Sequence, residues 1–423
     1  MVWRILSPLL RHNKRLSEGW DQRWLKSPLP RADLWLQAAS AGEAYLAREI
    51  VGTLTPPAAV RVLVTTNTRQ GLDILSRPPS NHQASSPGIS ISARYFPFDH
   101  PAHMTSAIAT VRPRLVGLLE TELWPGLLAA CRATKTPALM INGRINPSSL
   151  RGYRVWPALW RTVAPDRILA ISPGDAGRFG RLFPDTPISV MQNIKFDQWA
   201  QQVGKTDGTP LSRYFTSDPL LAVFGSIRQE EENAVQQMVV RIHSRKPGAV
   251  IAIFPRHMSR LERWRNYLKR QNFPWCDRSR LDGNVPPGHI ILWDTFGELR
   301  DAYKLAATAF VGGSLAPLGG QNFLEPLGCG VVPVIGPSWY NFAWVGEQIF
   351  MDKLVYRTTG WKSAADTMVR SLSNPVSRTD ILKRVRQYAG RHTGGTRQAC
   401  RVIESYLQKP GGDNAGRLKK RKG

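Results

Sequence analysis

VGGSLAPLGGQNFLEP, residues Val311–Pro326, sets four glycines around a serine, an asparagine and a glutamate directly after an apolar run. Glycines let main-chain N–H groups approach a ligand closely, and Pro326 suits the first turn of a helix whose positive end would face a phosphate. The stretch reads as a nucleotide site. Main-chain groups of Gly312, Gly313 and Ser314 would meet a phosphate with Asn322, and Glu325 would hold a ribose diol, with Phe323 and Leu324 between them. The same composition also describes a glycine-rich surface loop ahead of an acidic helix start, and the rest of the chain decides between the two.

Working outward, short apolar runs alternate with amphipathic segments. Before the middle of the chain they are Leu34–Ala38, Val62–Thr65, Ile89–Tyr95, Leu115–Leu119, Ala138–Ile141, Ile168–Ile171 and Ile188–Met191. After it come Leu220–Phe224, Val250–Phe254, Ile290–Trp293, Ala309–Val311, Val331–Ile335 and Leu354–Tyr356. Runs apolar on both faces belong to parallel strands covered by helices on each side. Between the series, Ala200–Pro219 loses its pattern and reads as a linker. The expected architecture is α/β, two Rossmann-like domains (1–205 and 206–423) facing a cleft. Two helical stretches, Arg378–Ala389 and Thr396–Gln408, are expected to cross back, followed by a basic tail at Gly416–Gly423.

With 423 residues the chain exceeds one ordinary core, and 42% hydrophobic against 21% charged residues is a folding composition. The 57 Lys and Arg outweigh 31 Asp and Glu, leaving +26. Such a field seeks polyanions, either nucleic acid or an anionic membrane surface. No zinc-finger, RNP or helix-turn-helix pattern accompanies the bases, so nucleic acid is not expected as a partner. Cys131, Cys276, Cys329 and Cys400 form no C-x-x-C pair, and the eight histidines are scattered, so no metal site is expected. Met1–Arg15 mixes Trp3, Ile5, Leu6, Leu9 and Leu10 with four bases and is too short to span a bilayer. It suits a helix lying on a membrane or one packed on its own domain.

Strand ends are where such sheets carry chemistry. After the first run, Ser40-Ala41-Gly42-Glu43 has capping-box spacing, which puts a carboxylate at a strand-to-helix turn and offers it the Ser40 N–H. After the fourth, Glu120 and Glu122 sit one residue apart ahead of Pro125, and one of them would cap the helix there. After the seventh, Lys195 is a cation fit for an acidic sugar or a phosphate.

LQAASAGEA (Leu36–Ala44), RYFPFDHP (Arg94–Pro101), LLETELWPGL (Leu118–Leu127), INGRI (Ile141–Ile145) and QNIKFD (Gln192–Asp197) then follow in order with FPRHMSR (Phe254–Arg260), DTFGEL (Asp294–Leu299) and FVGGSLAPLGGQNFLEP (Phe310–Pro326). Together they resemble the 3-deoxy-D-manno-octulosonic acid (Kdo) transferases of lipopolysaccharide assembly, from about Leu34 to Asn341. The resemblance implies a GT-B glycosyltransferase that takes CMP-Kdo on its second domain, a lipid A precursor on its first, and no cofactor. It also implies work at the cytoplasmic face of the bacterial inner membrane, on its surface. It makes Glu43 the general base, Glu120 or Glu122 an orienting or stabilising acid, and Lys195 the partner of the Kdo carboxylate or an acceptor phosphate. On the donor side it points to Arg256 and His257 for the cytidine or its phosphate, and to main-chain groups of Gly297, Glu298 and Leu299 for the cytosine edge. Two departures stand out. A Ser-Thr-His segment is replaced by Ser226-Ile227-Arg228, and Gly-His-Asn-Pro-Leu-Glu by Gly320-Gln321-Asn322-Phe323-Leu324-Glu325, which removes two histidines. A UDP-sugar transferase or epimerase would share the layout, whereas a non-enzymatic polyanion binder would leave the glycine-rich stretch unused.

Overall fold

The computed structural model describes residues 14–77, 88–205, 208–215 and 219–408. Most of Met1–Arg15 and all of Gly416–Gly423 lie outside the described residues. The chain divides into two compact units, Met1–Gln198 with His392–Gly423, and Trp199–Arg391.

In the first unit seven strands form one sheet in the order β3-β2-β1-β4-β5-β6-β7. They are β1 (Leu34–Gln37), β2 (Val60–Thr66), β3 (Ile89–Tyr95), β4 (Leu115–Leu119), β5 (Ala138–Gly143), β6 (Arg167–Ala170) and β7 (Ile188–Val190). Every pairing is parallel, with Trp35 of β1 opposite Leu63 on one side and Val116 on the other. The central strands β1, β4 and β5 are buried throughout, which is why their sequences carry no polar alternation. The order reverses between β1 and β4, so the loops leaving their carboxyl ends diverge and open the crevice in which such sheets bind ligands.

The second unit repeats the design in the order β10-β11-β9-β8-β12-β13-β14. Its strands are β8 (Leu221–Ile227), β9 (Val250–Pro255), β10 (Trp275–Asp277), β11 (Ile290–Leu292), β12 (Thr308–Val311), β13 (Pro333–Ile335) and β14 (Tyr356–Arg357). Here the order reverses at β8 and β12, which places the glycine-rich stretch at the switch point. Edge strand β10, three residues of mixed polarity, was not among the expected runs.

The linker expected at Ala200–Pro219 is more structured than its composition suggests. The helix Ile194–Gln202 runs into it, and Thr209 caps a 3₁₀ turn, Pro210–Tyr214, by accepting from Leu211 N at 3.2 Å. Leu211, Tyr214 and Phe215 then bury against Val223 and Trp293. Of the two carboxyl-terminal helices, Arg378–Gly390 belongs to the second unit and Gly395–Gln408 to the first. The latter buries Ala399, Cys400, Ile403 and Leu407 in the core that holds Ile50 and Leu54. Asp197 fixes its start, accepting from Gly394 N at 2.6 Å and Thr396 N at 2.7 Å.

Candidate active site

At the switch point of the first sheet, three carboxylates and two cations meet. Ser40 follows β1 in extended conformation and accepts from Glu43 N at 3.3 Å, while Glu43 Oε2 accepts from Ser40 N at 3.0 Å. The capping box is thus formed. It starts the helix Ala41–Thr53 and holds the Glu43 carboxylate at the strand end, 8% exposed. Burial pushes that carboxyl above the usual range and the negative charge of Glu120 pushes it further; the N–H groups of Ser40 and Ala39 and the charge of Lys195 oppose both.

Glu120 leaves β4 in the left-handed region (φ 57°) and is buried between two cations. Its Oε1 pairs with Lys195 Nζ, and its Oε2 lies 3.2 Å from Arg144 Nε. Glu122 is held up to about 7, first by burial, then by the charge of Glu43, with Glu120 adding to it. Neither acid caps the helix Pro125–Thr134. Asp99 does so from a neighbouring loop, accepting from Gly126 N at 2.8 Å and Leu127 N at 2.7 Å. A Cβ on Gly126 would meet Asp99 Oδ1 at 2.7 Å, so the glycine serves this cap.

Lys195 arrives from the far edge of the sheet through a relay of asparagines. Asn142, left-handed (φ 57°) within β5, donates to Asn193 Oδ1 at 3.2 Å and accepts from Ile194 N at 3.0 Å. Asn193 Oδ1 also accepts from Lys195 N at 3.0 Å. The start of the helix Ile194–Gln202 is thereby fixed to β5, and the lysine with it. Asn142, Arg144 and Asn193 lie inside the motifs quoted above, and Asn142 advertises itself only as an asparagine among apolar neighbours.

The charge on Glu122 has a measurable consequence. A carboxyl whose folded pKa lies above its unfolded value of 4.5 binds a proton in the native state that the unfolded state releases, so stability falls as pH rises from about 4.5 to about 7. The shift corresponds to at most about 3 kcal/mol. Glu122→Gln should therefore melt higher than the parent protein at pH 8, with the difference closing near pH 5. Equal melting at pH 8 would place Glu122 in solvent.

In the second unit the glycine-rich loop is organised from within. Glu231, buried at the start of the helix Glu232–Arg245, accepts from Ser314 N and Leu315 N at 3.2 Å each, from Gly313 N, and from Arg228 N at 3.0 Å. Gly312 N donates to Gly225 O at 2.9 Å. The main-chain N–H groups of Gly312, Gly313 and Ser314 are therefore engaged inside the protein, contrary to the phosphate contact expected of them. The Ser314 hydroxyl is internal as well, donating to Val311 O and accepting from Gly336 N.

Phe323 and Leu324 are core side chains, so they shape the loop without facing a ligand. Asn322 is exposed, its Oδ1 accepting from Leu324 N at 3.2 Å. Among the described residues the Glu325 carboxylate makes no hydrogen bond, while its main-chain carbonyl accepts from Cys329 N at 3.3 Å; burial raises the carboxyl, and the charge of Arg300 opposes the rise. Arg256 and His257 are both exposed just beyond β9. Glu298 is committed to local structure, pairing with Arg278 at 2.8 Å and accepting from Trp293 Nε1 at 2.9 Å and Thr295 Oγ1 at 2.6 Å. Gly297, with φ 88°, gives the turn that starts the helix Leu299–Leu305, and a Cβ there would meet nothing within 4 Å. The geometry brings Glu43, Glu120, Glu122 and Lys195 together in one unit and gathers the glycine-rich loop, Asn322 and Glu325 in the other. Among the described residues no group of three or more His, Cys, Asp or Glu forms a metal site.

Comparison with known proteins bears on the family and the fold. Residues 18–198 match the family model described as 3-deoxy-D-manno-octulosonic-acid transferase (kdotransferase). A 3-deoxy-D-manno-octulosonic acid transferase of Bordetella pertussis is 28% identical over 90% of this chain and 89% of its own length. One from Haemophilus influenzae is 26% identical over 86% of this chain and 84% of its own. Among solved structures, a UDP-N-acetylglucosamine 2-epimerase superposes with a TM-score of 0.58 at 12% identity, covering 90% of this chain and 96% of that one. That likeness shows the fold, two Rossmann-like domains of GT-B type. Residues 18–198 match the Kdo-transferase family model, and over most of its length the chain is similar to 3-deoxy-D-manno-octulosonic acid transferases.

Proposed function

We propose that the protein moves Kdo from CMP-Kdo to a hydroxyl of a lipid A precursor, with inversion at the ketosidic carbon, in lipopolysaccharide assembly. The observation that carries this is the cluster of Glu43, Glu120, Glu122 and Lys195 at the switch point of the first sheet. Glu43 accepts the hydroxyl proton as the oxygen attacks the ketosidic carbon and CMP leaves with the bonding pair. A base positioned in this way contributes about 10²–10⁴ in rate. Lys195, held by Glu120 and the asparagine relay, meets the sugar carboxylate or an acceptor phosphate. In the second unit Arg256 and His257 serve the cytidine or its phosphate, the start of the helix Leu299–Leu305 serves the base, and Glu325, whose carboxylate makes no hydrogen bond among the described residues, serves the ribose. Incubation with CMP-Kdo and a tetraacyl lipid A precursor should add the mass of one or more Kdo residues. No product, or thermal stabilisation by UDP and not by CMP, would favour the UDP-sugar alternative that shares this fold.

Among the described residues no helix is long and apolar enough to cross a membrane. A membrane contact is offered instead by the helices Pro147–Tyr153 and Pro157–Thr162. Between and along them Val155, Trp156 and Leu159 are 69%, 68% and 41% exposed, and Arg151, Arg154 and Arg161 are exposed beside them. Apolar tips ringed by arginines suit the interface of an anionic bilayer. Tyr153, at the end of the first helix, has its hydroxyl raised by burial and then by the charge of Glu122, so this patch adjoins the acid cluster. Trp156→Ser should weaken co-sedimentation with phosphatidylglycerol vesicles roughly tenfold, the value of about 1.5 kcal/mol for one large apolar side chain. Added salt should weaken it further. Binding that ignores both would place the contact elsewhere, the segment Met1–Arg15 being the next to test.

A further inference from the structure

Glu231 seats its carboxylate where a glycine-rich loop would otherwise receive a ligand's anion. Three successive main-chain N–H groups, those of Gly313, Ser314 and Leu315, converge on it, the arrangement of a backbone anion nest. The fit is close. A Cβ on Gly312 would lie 2.5 Å from Glu231 Oε1, so that glycine accommodates an internal carboxylate. A donor phosphate therefore finds this nest already filled.

The same carboxylate anchors the next loop. Arg228 lies just past β8, whose neighbour in the sheet is β12, and its N–H donates to Glu231 Oε1 at 3.0 Å. Among the described residues its Nε is buried without a hydrogen-bond partner, and its Nη2 meets Glu230 at a long 3.4 Å. The side chain is 30% exposed. A guanidinium with unspent donors thus stands at the carboxyl end of a central strand, beside the glycine-rich loop.

We propose that Arg228 receives the phosphate of the nucleotide donor in place of the loop's N–H groups. Glu231 is then the positioning residue that fills the nest and fixes the Arg228 main chain. The inference rests on the nucleotide-donor reading above. Guanidinium N–H groups pair with two phosphate oxygens at once, and one such contact is matched to a donor carrying one phosphate.

Calorimetry with CMP and with cytidine, at fixed ionic strength, tests it on the full chain. Arg228→Gln should weaken CMP by roughly tenfold or more, the loss of one charge-assisted contact, and leave cytidine unchanged. Glu231→Gln should also weaken CMP, and the double variant should bind CMP no more weakly than Arg228→Gln alone, since Glu231 acts through Arg228. Additive losses would make Glu231 a structural residue only and overturn its part. Undiminished CMP binding by Arg228→Gln overturns the assignment while leaving the donor reading intact. Wild-type protein that binds neither CMP nor cytidine overturns both. Should Glu231→Gln fail to fold, the partly exposed Arg228 side chain still decides the outcome.

Discussion

Glu43→Gln should bind CMP with the affinity of the parent protein and lose about 10²–10⁴ in transfer rate. The substitution separates the two duties of this side chain. Glutamine is as acceptable as glutamate at the third position of a capping box, because its amide oxygen still accepts from the Ser40 N–H. What it lacks is the basic oxygen that takes the acceptor's proton. Stability should not suffer. The Glu43 carboxyl is raised in the folded state by burial and by Glu120, so its charged form opposes folding above the unfolded pKa, and a neutral side chain removes that opposition at neutral pH. A melting temperature equal to or above the parent's, with CMP affinity kept, assigns the lost rate to chemistry. Near-normal turnover in the same variant would leave Glu43 as a helix cap and move the base to Glu122, which shares its surroundings.

Most of the scaffold is legible in the sequence because the interior strands of a doubly covered parallel sheet are apolar on both faces and stand out as short runs. Leu115–Leu119 is one such run, bounded in the structure where the apolar residues stop. Trp275–Asp277 is not, since an edge strand of three residues with one exposed flank carries no such pattern. The order within the linker is hidden for a related reason. Pro210, Gly204 and Gly208 break periodicity, yet the few apolar residues among them, Leu211, Tyr214 and Phe215, are enough to bury the segment. At the site, residue types were legible and their partners were not. That Glu43 would face Glu120 depends on β1 lying beside β4, a strand order that no local pattern encodes. The asparagine relay behind Lys195 joins strand β5 to a loop 51 residues later, and neither asparagine taken singly announces that pairing. The glycine-rich loop shows the difficulty most plainly. Its glycines do permit close approach to an anion, but the anion nearest to them is Glu231, 82 residues earlier in the chain.

Lys195→Met and Glu120→Gln should move the pH dependence of transfer in opposite directions, and together they test whether the cluster acts as one electrostatic unit. Transfer requires an unprotonated base, so the rate climbs as pH rises through the pKa of Glu43. The positive charge of Lys195 lowers that pKa and the negative charge of Glu120 raises it. Without the lysine, Glu43 holds its proton to higher pH, and the rising limb shifts up; without the Glu120 charge, the limb shifts down. Lys195→Met should also lose about 10–100-fold in rate on the plateau, because a cation that meets the sugar carboxylate or a phosphate contributes about 1.5–3 kcal/mol through charge-assisted hydrogen bonds. Glu120→Gln should lose rate too, for a different reason. Lys195 and Arg144 are then released from their common partner, and since their side chains are 26% and 40% exposed they can turn toward water, which costs placement more than folding. A pH–rate profile that keeps its position in both variants would mean that the base titrates out of reach of these charges. Glu43 would then be displaced from its role even if its own substitution is inactive.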